Sequence, residues 1–488
     1  MVSFDRRRTS VDAIKGAVVG GRVAFFTLGC KLNSYETESL RGVFHQHHYN
    51  IVDFDQPADY YVINTCAVTG HAESDARQLI RSITKRHPAA RVIVTGCYAQ
   101  RDAQTLAAMP EVALVVGNAE KTQLLHLFEA TICTPDAREK VFTSHPFKGP
   151  PTEKFAFGAG GGATSVSPFT RATIKVQDGC DDFCTFCIIP HLRGPSVSRP
   201  IAAILEHARA LAAAGYKELD LTGVHTGAYG ADFDHPTTLL AMLEQLVREE
   251  GIERIRLNSI EPATVSDDLL DFIAASPKIC QHLHICLQSG DDDLLRRMRR
   301  QYDVASYERL IAKVVARMPD CGLGSDLLVG FPGETEAHFE RTFRVVERLP
   351  FSYLHVFSYS ARPGTPATKY SDQVHPAAKK ERSRRLRELG LTKKRAFASR
   401  FFGREVIILM EGKRDNTRHF LSGLTENYVR VHVDAPEVYV NQLVPIRVVA
   451  MVEDEALGEL IAGGGSAAEP VKQVNAALDA DLRTSSSV

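Results

Sequence analysis

Six short apolar runs, Ala172–Gln177, Glu218–Thr222, Arg254–Ser259, His282–Gln288, Leu323–Gly330 and Tyr353–Ser358, recur through the middle of the chain, each followed by a helical pattern. A strand followed by a helix and then by another strand pairs in parallel through a right-handed crossover. Six such units in succession therefore predict a partial (βα)6 barrel, in which function collects at the carboxyl ends of the strands. The first run leads straight into Cys180, Cys184 and Cys187.

Upstream, from Val23 to about Ala130, short apolar runs at Val23–Leu28, Tyr60–Asn64, Arg91–Thr95 and Ala113–Val116 alternate with amphipathic stretches. That pattern predicts a separate Rossmann-like α/β domain with a parallel sheet. Downstream, a helix over roughly Pro376–Phe402 leads to a stretch, Glu405–Val452, with strand alternation at Val406–Leu409 and Tyr428–Val433, which reads as a small β-barrel. The expected organisation is an N-terminal extension 1–20, a first domain 21–143, a linker 144–170, a barrel domain 171–398, a small barrel 399–462 and a tail 463–488. Glycine and proline at Lys148–Pro151 and Gly158–Gly162 mark the linker, and the Gly/Ser/Ala-rich tail is expected to be disordered.

With 58 Lys+Arg against 59 Asp+Glu in 488 residues, the net charge of −1 means that any nucleic acid must be held by local basic patches. There is no run of eighteen apolar residues, and the N-terminus lacks an apolar signal core with a cleavage site, so a soluble, cytoplasmic protein without a membrane partner is expected. Ten cysteines are too few for a disulfide scaffold in a chain of this length. Their positions have to discriminate.

Cys180, Cys184 and Cys187 form a C-x3-C-x2-C run. Three thiolates this close can ligate three irons of a [4Fe–4S] cluster and leave the fourth iron open, where the amino-acid end of S-adenosylmethionine could bind so that an electron from the cluster cleaves the sulfonium to methionine and a 5′-deoxyadenosyl radical. The competing interpretation is a zinc knuckle. Zinc wants four ligands, however, and no fourth Cys is near; His191 lies beyond Pro190. Cys30, Cys66 and Cys97, separated by 36 and 31 residues, match no local metal motif, but each follows a predicted strand. Carboxyl ends of neighbouring parallel strands share one edge, about 4.8 Å apart per strand, so the three converge in space either as ligands or as buried sheet cysteines. Cys133, Cys280, Cys286 and Cys321 show no pattern and are expected to be core or surface thiols.

The segment Lys175–Pro190, with Arg193-Gly194 and Ser198-Arg199-Pro200, resembles the radical S-adenosylmethionine signature of the methylthiotransferases, and the resemblance runs from about Arg22 to Ala462. It implies that Cys180, Cys184 and Cys187 hold the radical-generating cluster. It also implies that Cys30, Cys66 and Cys97 hold a second [4Fe–4S] cluster presenting the sulfur to be transferred. Within that family, Leu221–Gly230 looks like the branch that acts on threonylcarbamoyladenosine in transfer RNA, the MtaB type; other branches act on isopentenyladenosine in transfer RNA or on a ribosomal-protein aspartate. The implied reaction uses two S-adenosylmethionine molecules, one for the methyl group and one for a radical that takes hydrogen from carbon 2 of the adenine at transfer-RNA position 37. Implied partners are the anticodon stem-loop, an electron donor of flavodoxin or ferredoxin type and a sulfur donor.

Strand-end candidates for S-adenosylmethionine are Gly223, Ser259 and Asp326, with Phe186 from the cysteine loop; turn chemistry explains such glycines and polar groups equally well. The substrate's threonyl carboxylate would want a guanidinium, for which Arg193 and Arg199 are candidates. Residues 379–404 hold eleven Lys/Arg against two acidic residues, which fits either a solvated helix or one that tracks phosphates through Lys393, Lys394 and Arg395. Gly423–Tyr428 resembles the RNA-binding TRAM domain, and Arg296–Arg300 adds a second basic cluster. Two other classes remain open at this level: a protein-modifying radical enzyme and a non-catalytic iron–sulfur RNA-binding protein.

Overall fold

Strands β1 (Arg22–Thr27), β2 (Asn50–Val52), β3 (Tyr60–Thr65), β4 (Arg91–Gly96), β5 (Val112–Val116) and β6 (Val141–Phe142) form one sheet in the order β2-β1-β3-β4-β5-β6, parallel throughout. Strand alternation sends Val23, Phe25, Val62 and Ile93 to one face, under the helices Lys31–Gln46 and Leu124–Ile132. It sends Ala24, Tyr61, Ile63 and Val94 to the other, under Gly70–Arg86 and Cys97–Arg101. Both faces are therefore buried, as a parallel sheet requires. The computed structural model describes residues 20–132, 139–146, 155, 170–235, 237–412, 414, 419–452 and 455–461. Nearly all of the expected N-terminal extension, most of the expected linker, Cys133 and the expected tail lie outside the described residues.

The second set of strands comprises β7 (Ala172–Lys175), β8 (Gln177–Asp178), β9 (Val197–Ser198), β10 (Glu218–Thr222), β11 (Arg254–Leu257), β12 (Ser259–Ile260), β13 (His282–Ile285), β14 (Gly322–Val329) and β15 (Tyr353–Ser358). All six expected runs carry strand, but two are divided. Arg254–Ser259 breaks at Asn258, so that β11 closes one sheet, β11-β10-β7, while β12 opens the next, β12-β13-β14-β15. Ala172–Gln177 ends at Lys175 and resumes as β8, which pairs antiparallel with β9 and frames the cysteine loop. Leu219, Leu221, Ile255, Leu283 and Leu323 pack with the surrounding helices in one continuous core.

Strands β16 (Glu405–Glu411), β17 (Leu421–Thr425), β18 (Arg430–Val433), β19 (Leu443–Val452) and β20 (Glu455–Leu460) close into a small barrel ordered β16-β17-β18-β20-β19. The chain divides into two compact units. One takes in the first sheet, the barrel arc, the helix from Pro376 as far as Phe397, and Glu426–Tyr428; the other is the small barrel. The N-terminal sheet and the barrel arc thus share one unit. Among the described residues no helix is long and apolar enough to cross a membrane.

Candidate metal centres and active site

Strands β1, β3 and β4 are neighbours in register, with Thr27 opposite Asn64 and Thr65 opposite Gly96. Cys30, Cys66 and Cys97 follow their carboxyl ends and so meet on one edge. The approach is close: a Cβ on Gly29, whose φ is +122°, would stand 3.0 Å from Cys66 Cβ and 3.4 Å from its Sγ. Only glycine takes that conformation and that proximity together. Cys30 caps the helix Lys31–Gln46 and Cys97 opens the helix Cys97–Arg101. Polar hydrogens face the sulfurs, with Val68 N–H at 3.5 Å from Cys66 Sγ and Asn118 Nδ2 at 3.6 Å from Cys97 Sγ. Burial pushes the Cys66 thiol up to about 11, and the nearby Cys97 and Cys30 act in the same direction. Three mutually repelling sulfurs are eased by binding a cation that displaces their protons.

The second trio sits on the loop after β8. Gly179, with φ +77° and its Cα packed on Pro195, turns the chain so that Cys180 N–H donates to Gly194 O at 3.1 Å. Thr185 anchors the middle of the loop, its N–H donating to Met298 O at 3.1 Å and its hydroxyl to Arg297 O at 2.9 Å. Cys184 is buried, and Arg300 Nη1 donates to its Sγ at 3.2 Å. Burial, with Cys184 alongside, pushes the Cys187 thiol up to about 12. All six cysteines are free thiols. Soft sulfur donors in sets of three, each met by N–H groups, have the chemistry that iron–sulfur ligation needs.

The two sets approach each other. Asn118 Nδ2, beside Cys97, also donates to Leu192 O at 3.1 Å, and Ile188 and Leu192 of the cysteine loop belong to the core of the N-terminal sheet. A cavity of about 210 Å³ is lined by Val68 and Thr69 next to Cys66, by Phe186 and Cys187, and by Gln288, Asp326 and Phe357 from the barrel strands.

The strand-end candidates separate here. Phe186 and Asp326 line this cavity. Gly223 packs on Gln177, whose Oε1 would stand 2.8 Å from a Cβ there, and the carbonyl of Ser259 accepts from Thr226 Oγ1 at 2.8 Å. Neither of these two lines the cavity. The Asp326 carboxylate lies 3.0 Å from His284 Nε2 and 3.2 Å from His355 Nδ1; although burial pushes it up, those two imidazoles hold it well below the usual carboxylate range.

Arg193 lies among carboxylates. Its guanidinium is buried, at 2.9 Å from Glu36, 3.1 Å from Asp178 and 2.8 Å from Asn33 Oδ1. Arg199 lies 3.0 Å from His207 Nδ1. In the basic cluster, Arg296, Arg297 and Arg300 pair with Asp293, Asp372 and Glu261, and Arg299 is exposed. Lys393 Nζ donates to Glu347 O and Leu349 O, both at 2.8 Å, whereas Lys394 and Arg395 are exposed. Cys280, Cys286 and Cys321 are buried core thiols. Sequence reasoning missed Asn118 altogether, and it counted Arg300 only within a basic run.

Residues 22–117 match the uncharacterized protein family UPF0004, and residues 174–346 match the radical SAM superfamily. A threonylcarbamoyladenosine tRNA methylthiotransferase MtaB from Bacillus subtilis (strain 168) is 38% identical over 87% of this chain and 93% of its own length. The MtaB of Aquifex aeolicus (strain VF5) is 39% identical over 84% of this chain and 98% of its own. The chain belongs to the MtaB family of radical SAM methylthiotransferases. Among solved structures, the radical S-adenosylmethionine methyltransferase TsrM from Kitasatospora setae, with cobalamin and a [4Fe-4S] cluster bound, superposes with a TM-score of 0.51 at 15% identity, over 71% of this chain and 76% of that one. At that identity the likeness is one of fold. Membership in the MtaB family gives the two matched regions distinct places in the molecule: the UPF0004 region is the sheet that ends in Cys30, Cys66 and Cys97, and the radical SAM region is the arc that carries Cys180, Cys184 and Cys187.

Proposed function

We propose that this chain is the methylthiotransferase that converts threonylcarbamoyladenosine at position 37 of transfer RNA to its 2-methylthio derivative, working in the cytoplasm on the anticodon stem-loop. The observation that carries the reading is the single cavity whose wall includes residues adjoining both cysteine sets. Relatives named for this activity match the chain nearly end to end.

When bound, one cluster supplies the electron that cleaves S-adenosylmethionine and the other supplies sulfur, with two S-adenosylmethionine molecules consumed per product. The chain's own residues prepare the place. Cys180, Cys184 and Cys187 hold one cluster and leave an iron open to the cofactor; Cys30, Cys66 and Cys97 hold the other. Phe186 and Phe357 give the cavity aromatic walls that suit a purine face, and the Asp326 carboxylate and Gln288 amide offer hydrogen bonds to its polar edge. Electrons come from a flavodoxin- or ferredoxin-type donor, and sulfur from a separate donor.

Reconstituted protein, given S-adenosylmethionine, a reductant and anticodon stem-loops bearing either threonylcarbamoyladenosine or isopentenyladenosine, tests this by nucleoside mass spectrometry. Product only from the first is expected; product only from the second would reassign the substrate. Replacing Cys180, Cys184 and Cys187 together by Ala should leave about half of the roughly eight irons expected from two clusters. The matching replacement of Cys30, Cys66 and Cys97 should spare reductive cleavage and abolish product.

A further inference from the structure

A group of buried charges lies between the two cysteine sets. Lys121 Nζ, in the turn after β5, is 2.5 Å from Glu36 Oε2 and 3.3 Å from Asn64 Oδ1. Glu36 also takes Lys175 at 3.2 Å and Arg193 at 2.9 Å, and Asp178 receives Lys175 at 2.5 Å and Arg193 at 3.1 Å. All five side chains are buried, with at most 7% of any of them exposed.

Their positions in the chain give the group its meaning. Asn64 lies in β3, Glu36 in the helix Lys31–Gln46 and Lys121 in the turn after β5, all in the domain of Cys30, Cys66 and Cys97; Lys175, Asp178 and Arg193 flank the loop of Cys180, Cys184 and Cys187. Asn64 precedes Cys66 by two residues, and its amide donates to Asn33 O at 2.9 Å. The Asn64 Oδ1 that accepts from Lys121 would stand 2.5 Å from a Cβ on Gly96, the residue before Cys97. Burial pushes the Glu36 carboxyl up, but Arg193, Lys121 and Lys175 together hold it well below the usual carboxylate range. It stays ionised, and its pull opposes the loss of the Lys121 proton that burial favours. Removing such charges from water is costly, and apolar residues of the same volume would pack at least as stably.

We infer that Lys121 sets the reduction potential of the cluster held by Cys30, Cys66 and Cys97. This rests on the two-cluster reading above. A [4Fe–4S] core with three thiolates is anionic and gains a further negative charge on reduction. A fixed ammonium beside it, in surroundings that screen charge poorly, stabilises the reduced form more than the oxidised one and raises the potential. Glu36 acts in the opposite sense and keeps the ammonium in place. Lys121 is a positioning and tuning residue; the chemistry remains with the cluster.

The test uses full-length protein in which Cys180, Cys184 and Cys187 are replaced by Ala, so that one cluster gives the only signal. Its midpoint potential is read by titration monitored by electron paramagnetic resonance. Lys121→Met is expected to retain iron and shift the potential to more negative values. Lys121→Arg, which keeps the charge, should stay near the parent, and Glu36→Gln, which removes a negative charge, should shift it the other way. Equal potentials for Lys121→Met and the parent at equal iron content would overturn the inference. So would a Lys121→Arg shift as large as that of Met, since packing and not charge would then be responsible. If Lys121→Met does not fold, Glu36→Gln decides the matter: a more positive potential at equal iron content supports the inference, and an unshifted one overturns it. A parent without any cluster would remove the two-cluster reading itself, and with it this inference.

Discussion

Arg300 Nη1 lies 3.2 Å from Cys184 Sγ, while the other arm of the guanidinium rests on the carboxylate of Glu261. A buried cation that donates to a ligand sulfur withdraws charge from the metal centre and fixes the sulfur's orientation. Arg300→Gln is expected to keep its iron and to slow reductive cleavage of S-adenosylmethionine by about 10–100-fold, the usual cost of losing a group that orients a metal ligand. The yield of 5′-deoxyadenosine per cluster is the measurement. An undiminished rate would mean that the contact is only packing.

Arg193 tests whether an arginine near the site is structural or reads the substrate. With Glu36 and Asp178 around it, Arg193→Gln leaves buried carboxylates short of a partner, a loss of about 3–5 kcal/mol by comparison with other broken buried pairs. The variant should unfold at markedly lower denaturant. A variant of unchanged stability that binds threonylcarbamoyladenosine RNA more weakly would return Arg193 to the substrate.

Cys30, Cys66 and Cys97 were legible in the sequence because each follows a strand, and adjacent parallel strands turn a large sequence separation into one short edge. Arg300 was not legible as a neighbour of Cys184. It stands 116 residues from Cys184, and the contact depends on hydrogen bonds from the Thr185 N–H to Met298 O and from its hydroxyl to Arg297 O that no periodicity encodes. Glu36 illustrates the same limit: its place in the amphipathic helix Lys31–Gln46 is that of any acidic residue until Lys121, Lys175 and Arg193 arrive from 85, 139 and 157 residues away. The break at Asn258 was hidden because Arg254–Ser259 is continuous in composition, and only the partners on either side differ.

His282 gives the folded protein a sensitivity to acid. Its Nε2 is 2.8 Å from Tyr353 Oη, the Tyr428 ring stacks on it at 4.3 Å, and Arg256 and His284 face it. Burial, reinforced by those two cationic or basic neighbours, holds its pKa well below the ordinary histidine value. The unfolded chain therefore takes up a proton near pH 6.5 that the folded chain refuses, so stability is full above that pH and falls as pH drops below it. The limiting slope for one proton is about 1.4 kcal/mol per pH unit. Denaturant titrations between pH 5 and 7.5 should show a shallower decline for His282→Gln than for the parent, even if the variant starts from a lower stability. Parallel declines would place the acid sensitivity elsewhere.

The basic helix Pro376–Ser399 divides into residues committed to the fold and residues exposed to solvent. Arg382 and Arg385 pair with Glu334, Glu336 and Glu340, and Lys393 donates to the carbonyls of Glu347 and Leu349 where the helix Glu336–Arg348 ends. A lysine at a helix carboxyl end satisfies carbonyls that have no partner within the helix and opposes the helix dipole, which is worth about 0.3–1 kcal/mol. Lys393→Gln should accordingly cost a little stability and leave RNA affinity unchanged. Lys394, exposed one residue further on, is the cleaner probe of phosphate tracking. If it meets a phosphate, Lys394→Gln should weaken binding and lower the log–log salt slope by about 0.9 on a duplex stem, and by about 0.7 on a single-stranded loop, because one fewer counterion is released. The modified base should stay the same, since phosphate contacts position the RNA and base contacts identify it. Binding isotherms for the anticodon stem-loop between 50 and 200 mM salt separate the two lysines, and a slope altered by Lys393→Gln but not by Lys394→Gln would reverse the assignment.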